Sequence, residues 1–163
     1  MSGDEATAAL VARLGDALVA RGATIVAAES CTGGLVAAAC TSRAGSSAWF
    51  ERGVVTYSNA AKTELLGVPE TLIAAHGAVS GEVARAMAAG AIAQTPATFA
   101  VAVTGIAGPD GGTPAKPVGT VVIAVIVPEQ PVYVRTYTFI GGRTMVKFQA
   151  TQAAMDRVRR MLL

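Results

Sequence analysis

Apolar positions along this chain recur with two different spacings, and the alternation between them predicts alternating helices and strands. Segments in which leucine, valine and alanine recur every three to four residues are typical of amphipathic helices, whereas short runs rich in β-branched residues are typical of buried strands. Glycine and proline mark most of the boundaries. The pattern predicts helices near 10–19, 32–42, 60–66, 69–76, 80–94 and 144–161, and strands near 23–28, 53–57, 98–104, 118–127 and 132–139.

Strands that alternate with helices usually form a largely parallel sheet that is covered by helices on both faces. The last two predicted strands are joined by a short turn with a proline at each end, which predicts one antiparallel pair late in the chain. We therefore predict an α/β fold, a three-layer α/β/α sandwich around a mixed, mostly parallel sheet, in which residues 1–163 form one domain.

Ligands of such folds bind at the carboxyl ends of the strands. The loop after the first strand leads into a helix and contains two hydroxyl residues and two glycines: Ser30, Thr32, Gly33 and Gly34. At the start of a helix, the backbone N–H groups and the helix dipole favour the binding of anions, phosphate above all. The alternative is that Ser30 or Thr32 only caps that helix. Loops of similar composition follow other strands, and we expect three of them to meet at one site: 29–34, 57–62 and 104–112.

Composition limits the classes of partner. Hydrophobic residues make up 52% of the chain, yet its longest apolar runs, such as 121–127, are far shorter than the roughly 20 residues that cross a bilayer. The acidic N-terminal residues contain no secretory signal, so we expect a cytoplasmic protein that does not bind membranes. A net charge of +2 without a long basic run gives no reason to expect a nucleic acid.

Cysteine and histidine are too scarce for a disulfide framework or a zinc site. The chain has two cysteines, Cys31 and Cys40, and one histidine, His76, which lies in a glycine-flanked turn where a capping or solvated role is expected. We therefore expect neither a metal nor a cofactor. Cys31, which is next to Ser30, either influences the chemistry of the site or only packs against its neighbours.

Six short motifs follow one another along the chain: ESCTGG at 29–34, GSSAWF at 45–50, VTYSNAAK at 55–62, HGAVS at 76–80, TGIAGPDGG at 104–112 and KPVGT at 116–120. In order and spacing they resemble the CinA C-terminal domain family. The resemblance extends over roughly residues 6 to 160, and stand-alone members of the family are nicotinamide-nucleotide amidohydrolases.

The resemblance implies a reaction: hydrolysis of the carboxamide of nicotinamide mononucleotide to nicotinate mononucleotide and ammonia, a step of pyridine nucleotide salvage. It also implies a serine amidohydrolase that uses a Ser/Lys pair, needs no metal and acts on a small nucleotide. Together with an alanine-rich composition it suggests a homo-oligomer. The alternatives are a non-catalytic module that binds a nucleotide or phosphosugar, and a hydrolase of another amide.

Lys62 is the predicted base of this reaction. If Ser58 caps the following helix, Lys62 lies in its first turns, where the positive end of the helix dipole disfavours a cation and lowers the pKa of the amine. An ordinary solvated lysine is the alternative. Tyr57 is expected to orient Lys62 or to stack on the nicotinamide ring, unless it is a core aromatic residue.

Three serines compete for the role of nucleophile. Ser47 resembles the catalytic serine of the family and is preferred, with Ser30 then contacting the ligand together with Thr32, Gly33 and Gly34. Ser30 is equally able to present its hydroxyl, and Ser46 is the third alternative. Sequence spacing does not decide among them.

The remaining candidate residues are expected to contact the substrate. Asn59 either caps a helix or bonds the carboxamide, and Thr104, Gly105 and Gly108 are candidates for oxyanion or ribose contacts. Arg143 is a candidate for the phosphate. It follows two glycines where family members commonly have Gly-Asp-Arg, so the geometry before the last helix is left open. Asp110 lies in a turn sequence and is expected to be structural: Pro109-Asp110-Gly111-Gly112.

Overall fold

A computed structural model describes all 163 residues as five strands between two layers of helices. A 3₁₀ turn, Ser46–Ala48, precedes the second strand. The strands are β1 (Ile25–Glu29), β2 (Phe50–Val55), β3 (Phe99–Gly105), β4 (Thr120–Ile126) and β5 (Tyr133–Thr138). The helices are α1 (Gly3–Ala20), α2 (Leu35–Thr41), α3 (Asn59–Leu66), α4 (Glu70–His76), α5 (Gly81–Ala93) and α6 (Arg143–Met161).

The sheet has the order β2-β1-β3-β4-β5, and only β4 runs against the other strands. The predicted three-layer fold with a mixed, mostly parallel sheet is therefore confirmed. β1, β3 and β4 are buried along almost their whole length, because helices cover both of their faces. The edge strands β2 and β5 are partly exposed.

Successive residues of each strand point to opposite faces of the sheet and so join two separate cores. Ile25 and Ala27 of β1 pack with α1, α2 and α6, whereas Val26 and Ala28 pack with α3, α4 and α5. The second layer is tightly packed, since a β-carbon at Gly90 of α5 would lie 1.8 Å from the carbonyl oxygen of Leu66 in α3.

Two helix starts differ from the sequence prediction. α1 begins at Gly3 because Ser2 and Glu5 form a capping box, an N-terminal signal that precedes the apolar pattern. α2 begins only at Leu35, because Gly33 and Gly34 adopt left-handed conformations with φ of 58° and 105°. None of the helices is both long and apolar enough to cross a membrane.

Candidate active site

A serine and a lysine meet at the carboxyl end of the central strands. Ser30 directly follows β1, and Lys62 lies in the first turn of α3, with its Nζ 3.0 Å from Ser30 Oγ. Ser58 caps that helix, since its hydroxyl accepts a hydrogen bond from the backbone N–H of Ala61 at 3.0 Å. The side chain of Lys62 is only 1% exposed. The prediction that Ser58 caps the helix is confirmed, whereas the alternative of a solvated Lys62 is wrong.

The surroundings of Lys62 favour the neutral amine. Besides Ser30, Nζ contacts the backbone oxygens of Thr56 at 2.9 Å and Tyr57 at 3.5 Å, and it forms no ion pair. Burial lowers the pKa of Lys62 from its ordinary value, and the nearby Cys31 opposes this shift only in part. A buried lysine without a carboxylate partner is the kind of group that accepts a proton.

Glu29, the last residue of β1, is fully buried and binds the start of α2. Its Oε1 accepts hydrogen bonds from the hydroxyl of Thr32 at 2.6 Å and from the backbone N–H groups of Gly34 at 3.2 Å and Val36 at 3.0 Å. Its Oε2 accepts a hydrogen bond from the N–H of Ala37 at 3.0 Å. The carboxylate thus anchors both sides of the turn that contains Ser30.

This arrangement corrects the interpretation of the turn as a phosphate site. The N–H groups at the start of α2 already bind an anion, the carboxylate of Glu29, which also complements the helix dipole. Thr32, Gly33 and Gly34 were expected to contact the ligand, but none of the three lines the cleft above Ser30. Thr32 is fully buried, and its hydroxyl bonds Glu29.

A cleft of about 280 Å³ lies over Ser30 and Lys62. Its walls come from the loops after β1, β2 and β3, from the segment before α5 and from the start of α6, so the three loops that were predicted to meet do so. The lining residues are Ser30, Cys31, Tyr57, Asn59, Lys62, Ala78, Val79, Thr104, Gly105, Ile106, Ala107, Gly108, Asp110, Gly111 and Arg143.

Arg143 bridges two loops at this cleft. Its Nη1 donates to the backbone oxygen of Gly108 at 2.8 Å, and its Nη2 donates to the hydroxyl of Tyr57 at 3.0 Å. Tyr57 is 61% exposed and is therefore not a core aromatic residue. Gly142, where the family resemblance led us to expect an aspartate, provides the N-cap of α6 without a side-chain bond.

The loop after β3 presents its backbone to the cleft. Thr104 is buried, and its hydroxyl donates to the backbone oxygen of Ala78 at 2.9 Å, which leaves little freedom to contact a ligand. A β-carbon at Gly105 would lie 2.7 Å from Val121 Cγ2, so only glycine fits there. The backbone N–H groups of Ala107 and Gly108 donate to no other residue and remain available.

Ser46 and Ser47 lie at the opposite end of the sheet. Both belong to the 3₁₀ turn that precedes β2, whereas the cleft lies beyond the last residue of that strand. The strand between them spans about 16 Å at roughly 3.3 Å per residue. The preference for Ser47 as nucleophile is therefore corrected: parallel strands carry sites at their carboxyl ends, and Ser47 precedes its strand.

Two contributions to the site were missed from the sequence. Glu29 was named only as part of a motif, although an acidic residue near a helix start complements the positive end of the helix dipole. Asp110 was expected to be structural, yet it lines the cleft. His76 is outside the cleft, with its Nδ1 3.7 Å from a carboxylate oxygen of Glu82.

Comparisons with known proteins agree with this fold. A family model described as the CinA C-terminal domain matches residues 7–162. The chain belongs to the CinA C-terminal domain family. The matched segment includes Ser30, Lys62 and every other residue that lines the cleft.

Relatives of this family member include proteins of two lengths. A CinA-like protein of Mycolicibacterium gilvum is 58% identical over 141 residues, which are 86% of this chain and 33% of that protein. The chain thus spans about a third of that relative. Nicotinamide-nucleotide amidohydrolase PncC of Escherichia coli K12 is 51% identical over 151 residues, which are 93% of this chain and 92% of that protein.

A solved structure has the same fold. The competence/damage inducible protein CihA from Agrobacterium tumefaciens superposes with a TM-score of 0.93 at 41% identity, and the match covers 99% of this chain and 97% of that chain.

Proposed function

We propose that this protein is a nicotinamide-nucleotide amidohydrolase that converts nicotinamide mononucleotide to nicotinate mononucleotide and ammonia. The proposed reaction is inferred from the 3.0 Å contact between Ser30 Oγ and the buried Nζ of Lys62. The substrate follows from the relative of similar length, the E. coli amidohydrolase, at 51% identity.

In this proposal Ser30, and not Ser47, is the nucleophile and Lys62 is its base. A neutral amine has two N–H donors and one lone pair. When the backbone oxygens of Thr56 and Tyr57 accept the two N–H groups, the lone pair is directed at the hydroxyl of Ser30. Lys62 then removes the Ser30 proton as Oγ attacks the carboxamide carbon.

The same lysine completes the reaction. Protonated Lys62 donates its proton to the leaving nitrogen, which departs as ammonia and leaves an acyl ester on Ser30. Neutral Lys62 next deprotonates a water molecule that attacks this ester, and the proton returns to Ser30 Oγ as nicotinate mononucleotide leaves. The active site therefore needs one titrating group and no metal to turn over.

The developing oxyanion requires N–H donors that are not already used. Among the cleft-lining backbone N–H groups that donate to no other residue, those of Cys31, Ala107 and Gly108 belong to the loops that follow the two central parallel strands. Cys31 directly follows the nucleophile, so its N–H moves with Ser30. We assign the oxyanion site to these groups.

The substrate's charged and aromatic groups have candidate partners at the rim. Arg143 is the one arginine that lines the cleft, and we assign it to the phosphate, with Tyr57 stacking on the nicotinamide ring and Asn59 bonding the carboxamide. Thr104, Gly105 and Gly108 shape the wall against which the ribose lies.

Ammonia release from nicotinamide mononucleotide, measured with a chelator present throughout, tests the proposed function. Stoichiometric ammonia and nicotinate mononucleotide are expected. Calorimetric binding of the nucleotide without ammonia release indicates the non-catalytic binding module instead. Turnover of free nicotinamide or nicotinamide riboside at an equal rate contradicts the assignment of Arg143 to a phosphate.

A further inference from the structure

A second group of charged side chains lies where β5 packs against the C-terminal half of α6. Arg135 and Tyr137 of β5 and Arg157 and Arg160 of α6 line a depression of about 250 Å³, together with Ala153 and Asp156. Arg143 opens α6 and Arg157 follows fourteen residues later, so at 1.5 Å per residue about 20 Å of helix separates this depression from the cleft.

Two of these arginines are held on aromatic rings without a counter-ion. The guanidinium of Arg157 lies 4.3 Å from the ring centre of Tyr133, and that of Arg135 lies 5.0 Å from the ring centre of Tyr137. Neither arginine forms an ion pair, and the buried Nε of Arg157 has no hydrogen-bond partner. A buried donor without a partner is rare in proteins and requires an explanation.

The only carboxylate in the depression does not neutralise this pair. Oδ1 of Asp156 accepts hydrogen bonds from Nε and Nη2 of Arg159 at 3.1 and 2.8 Å, and Oδ2 accepts one from Nε of Arg160 at 2.6 Å. Asp156 is thus shared by two other arginines. Arg135 and Arg157 supply positive charge that no side chain of the protein balances.

The neighbouring tyrosines add a neutral donor. The hydroxyls of Tyr133 and Tyr137 are 2.7 Å apart, so one donates to the other and the proton of the accepting hydroxyl is free. The Tyr137 ring also stacks on Phe139 at 5.4 Å between ring centres, which holds it in place. The donors around the depression are therefore held by aromatic contacts before any ligand arrives.

We propose that Arg135, Arg157 and the Tyr133–Tyr137 hydroxyl pair form a second anion site that binds a phosphate group. Planar guanidinium groups match the oxygens of a phosphate with paired hydrogen bonds, and the free hydroxyl proton serves a further oxygen. The ligand is either inorganic phosphate or the phosphate of a nucleotide. Because the site is remote from Ser30 and Lys62, it does not depend on the proposed reaction.

Arginine side-chain NMR tests this site directly. Protein labelled with ¹⁵N-arginine is titrated with inorganic phosphate and, in parallel, with adenosine monophosphate at constant ionic strength. We expect the Nε–H resonance of Arg157 to shift saturably. Tighter binding of the nucleotide identifies a nucleotide site, and equal binding identifies a phosphate site.

Matched variants separate this site from general charge effects and from the cleft. Arg135→Gln and Arg157→Gln are each expected to weaken binding about tenfold, because each removes charge-assisted bonds. Arg85→Gln, which changes an exposed arginine of α5 in the other helix layer, is the control and is expected to leave binding unchanged.

The proposal is overturned if the Arg157 signal moves linearly without saturation, or if only the Arg143 signal shifts. Arg135 is exposed on an edge strand, so its variant keeps the test valid if Arg157→Gln does not fold.

Discussion

The carboxylate of Glu29 binds the start of helix α2 and forms no ion pair with Lys62, although Lys62 contacts the very next residue, Ser30. An acidic group beside a buried lysine would stabilise the ammonium form and raise its pKa. Here the acid neutralises a helix end instead. The lysine is left buried without a counter-ion, which is the condition that a general base at ordinary pH requires.

Removal of the lysine amine is expected to abolish turnover without abolishing binding. Lys62→Met keeps much of the side-chain volume and replaces a buried amine with an apolar group, so the fold is retained. We expect ammonia release to fall by about a thousandfold or more, as for the loss of a base that acts together with its nucleophile. Calorimetry should show nicotinamide mononucleotide binding within a few-fold of the parent protein. Unchanged turnover would falsify the role of Lys62.

The two candidate serines are separated by a matched pair of variants. Ser30→Ala is expected to reduce kcat as far as Lys62→Met does, because both remove one member of the same pair. Ser47→Ala changes an exposed residue at the far end of β2 and is expected to leave kcat and KM unchanged. The reverse pattern in the ammonia assay would restore Ser47 as the nucleophile.

The lowered pKa of Lys62 predicts how activity depends on pH. Only the neutral amine accepts the Ser30 proton, so kcat/KM is expected to rise with pH through the pKa of Lys62 in the folded protein and then reach a plateau. That midpoint lies below the ordinary value for lysine. An activity that falls over this range contradicts the assignment of Lys62 as base.

The same shift predicts how stability depends on pH. Between the lowered pKa of Lys62 in the folded state and its ordinary pKa in the unfolded state, the unfolded chain binds more protons, so the free energy of unfolding rises with pH. At pH values below the folded-state pKa, Lys62 is protonated in both states, so the destabilisation caused by burying its ammonium group is constant and at its largest. Lys62→Met lacks the titrating amine and is therefore expected to lose this rise in the free energy of unfolding with pH. Urea unfolding at several pH values measures this.

The order of helices and strands was predictable because glycine, proline and β-branched runs mark the boundaries locally. The position of the loops was also predictable, since carboxyl ends of parallel strands share one edge. To choose between Ser30 and Ser47, it is necessary to know that Ser30 follows the end of β1 whereas Ser47 precedes the start of β2. The preference for Ser47 followed a family resemblance against that rule, and the structure places Ser47 away from the cleft that Ser30 lines.

The role of Glu29 could not be inferred from apolar periodicity, because its bonds depend on where α2 begins. The sequence prediction started that helix near residue 32, which would have put the free N–H groups beside Thr32. The left-handed Gly33 and Gly34 delay the start, and the available N–H groups then point at Glu29. A shift of one helical turn thus separates a phosphate site from an internal helix cap.

Replacement of Glu29 by glutamine is expected to weaken both folding and catalysis. The amide keeps the shape of the side chain but cannot accept hydrogen bonds with both groups and carries no charge for the start of α2. We expect a loss of about 1–3 kcal/mol in the free energy of unfolding. Because Ser30 is held by this turn, kcat should fall more than KM rises. Thr32→Val, which removes only one of the four bonds, is the control and should show a smaller loss.

The thiol of Cys31, beside the proposed nucleophile Ser30, is expected to be inert. Burial raises the pKa of Cys31 to about 12, so almost no thiolate is present at pH 8. Alkylation by iodoacetamide, followed by mass spectrometry, should modify Cys31 only after unfolding in urea. Cys31→Ala should retain turnover within a few-fold, since the proposed chemistry uses the backbone N–H of this residue and not its sulfur. Rapid alkylation of the native protein with loss of activity would instead make Cys31 a nucleophile in its own right, and the Ser30–Lys62 contact would then need another explanation.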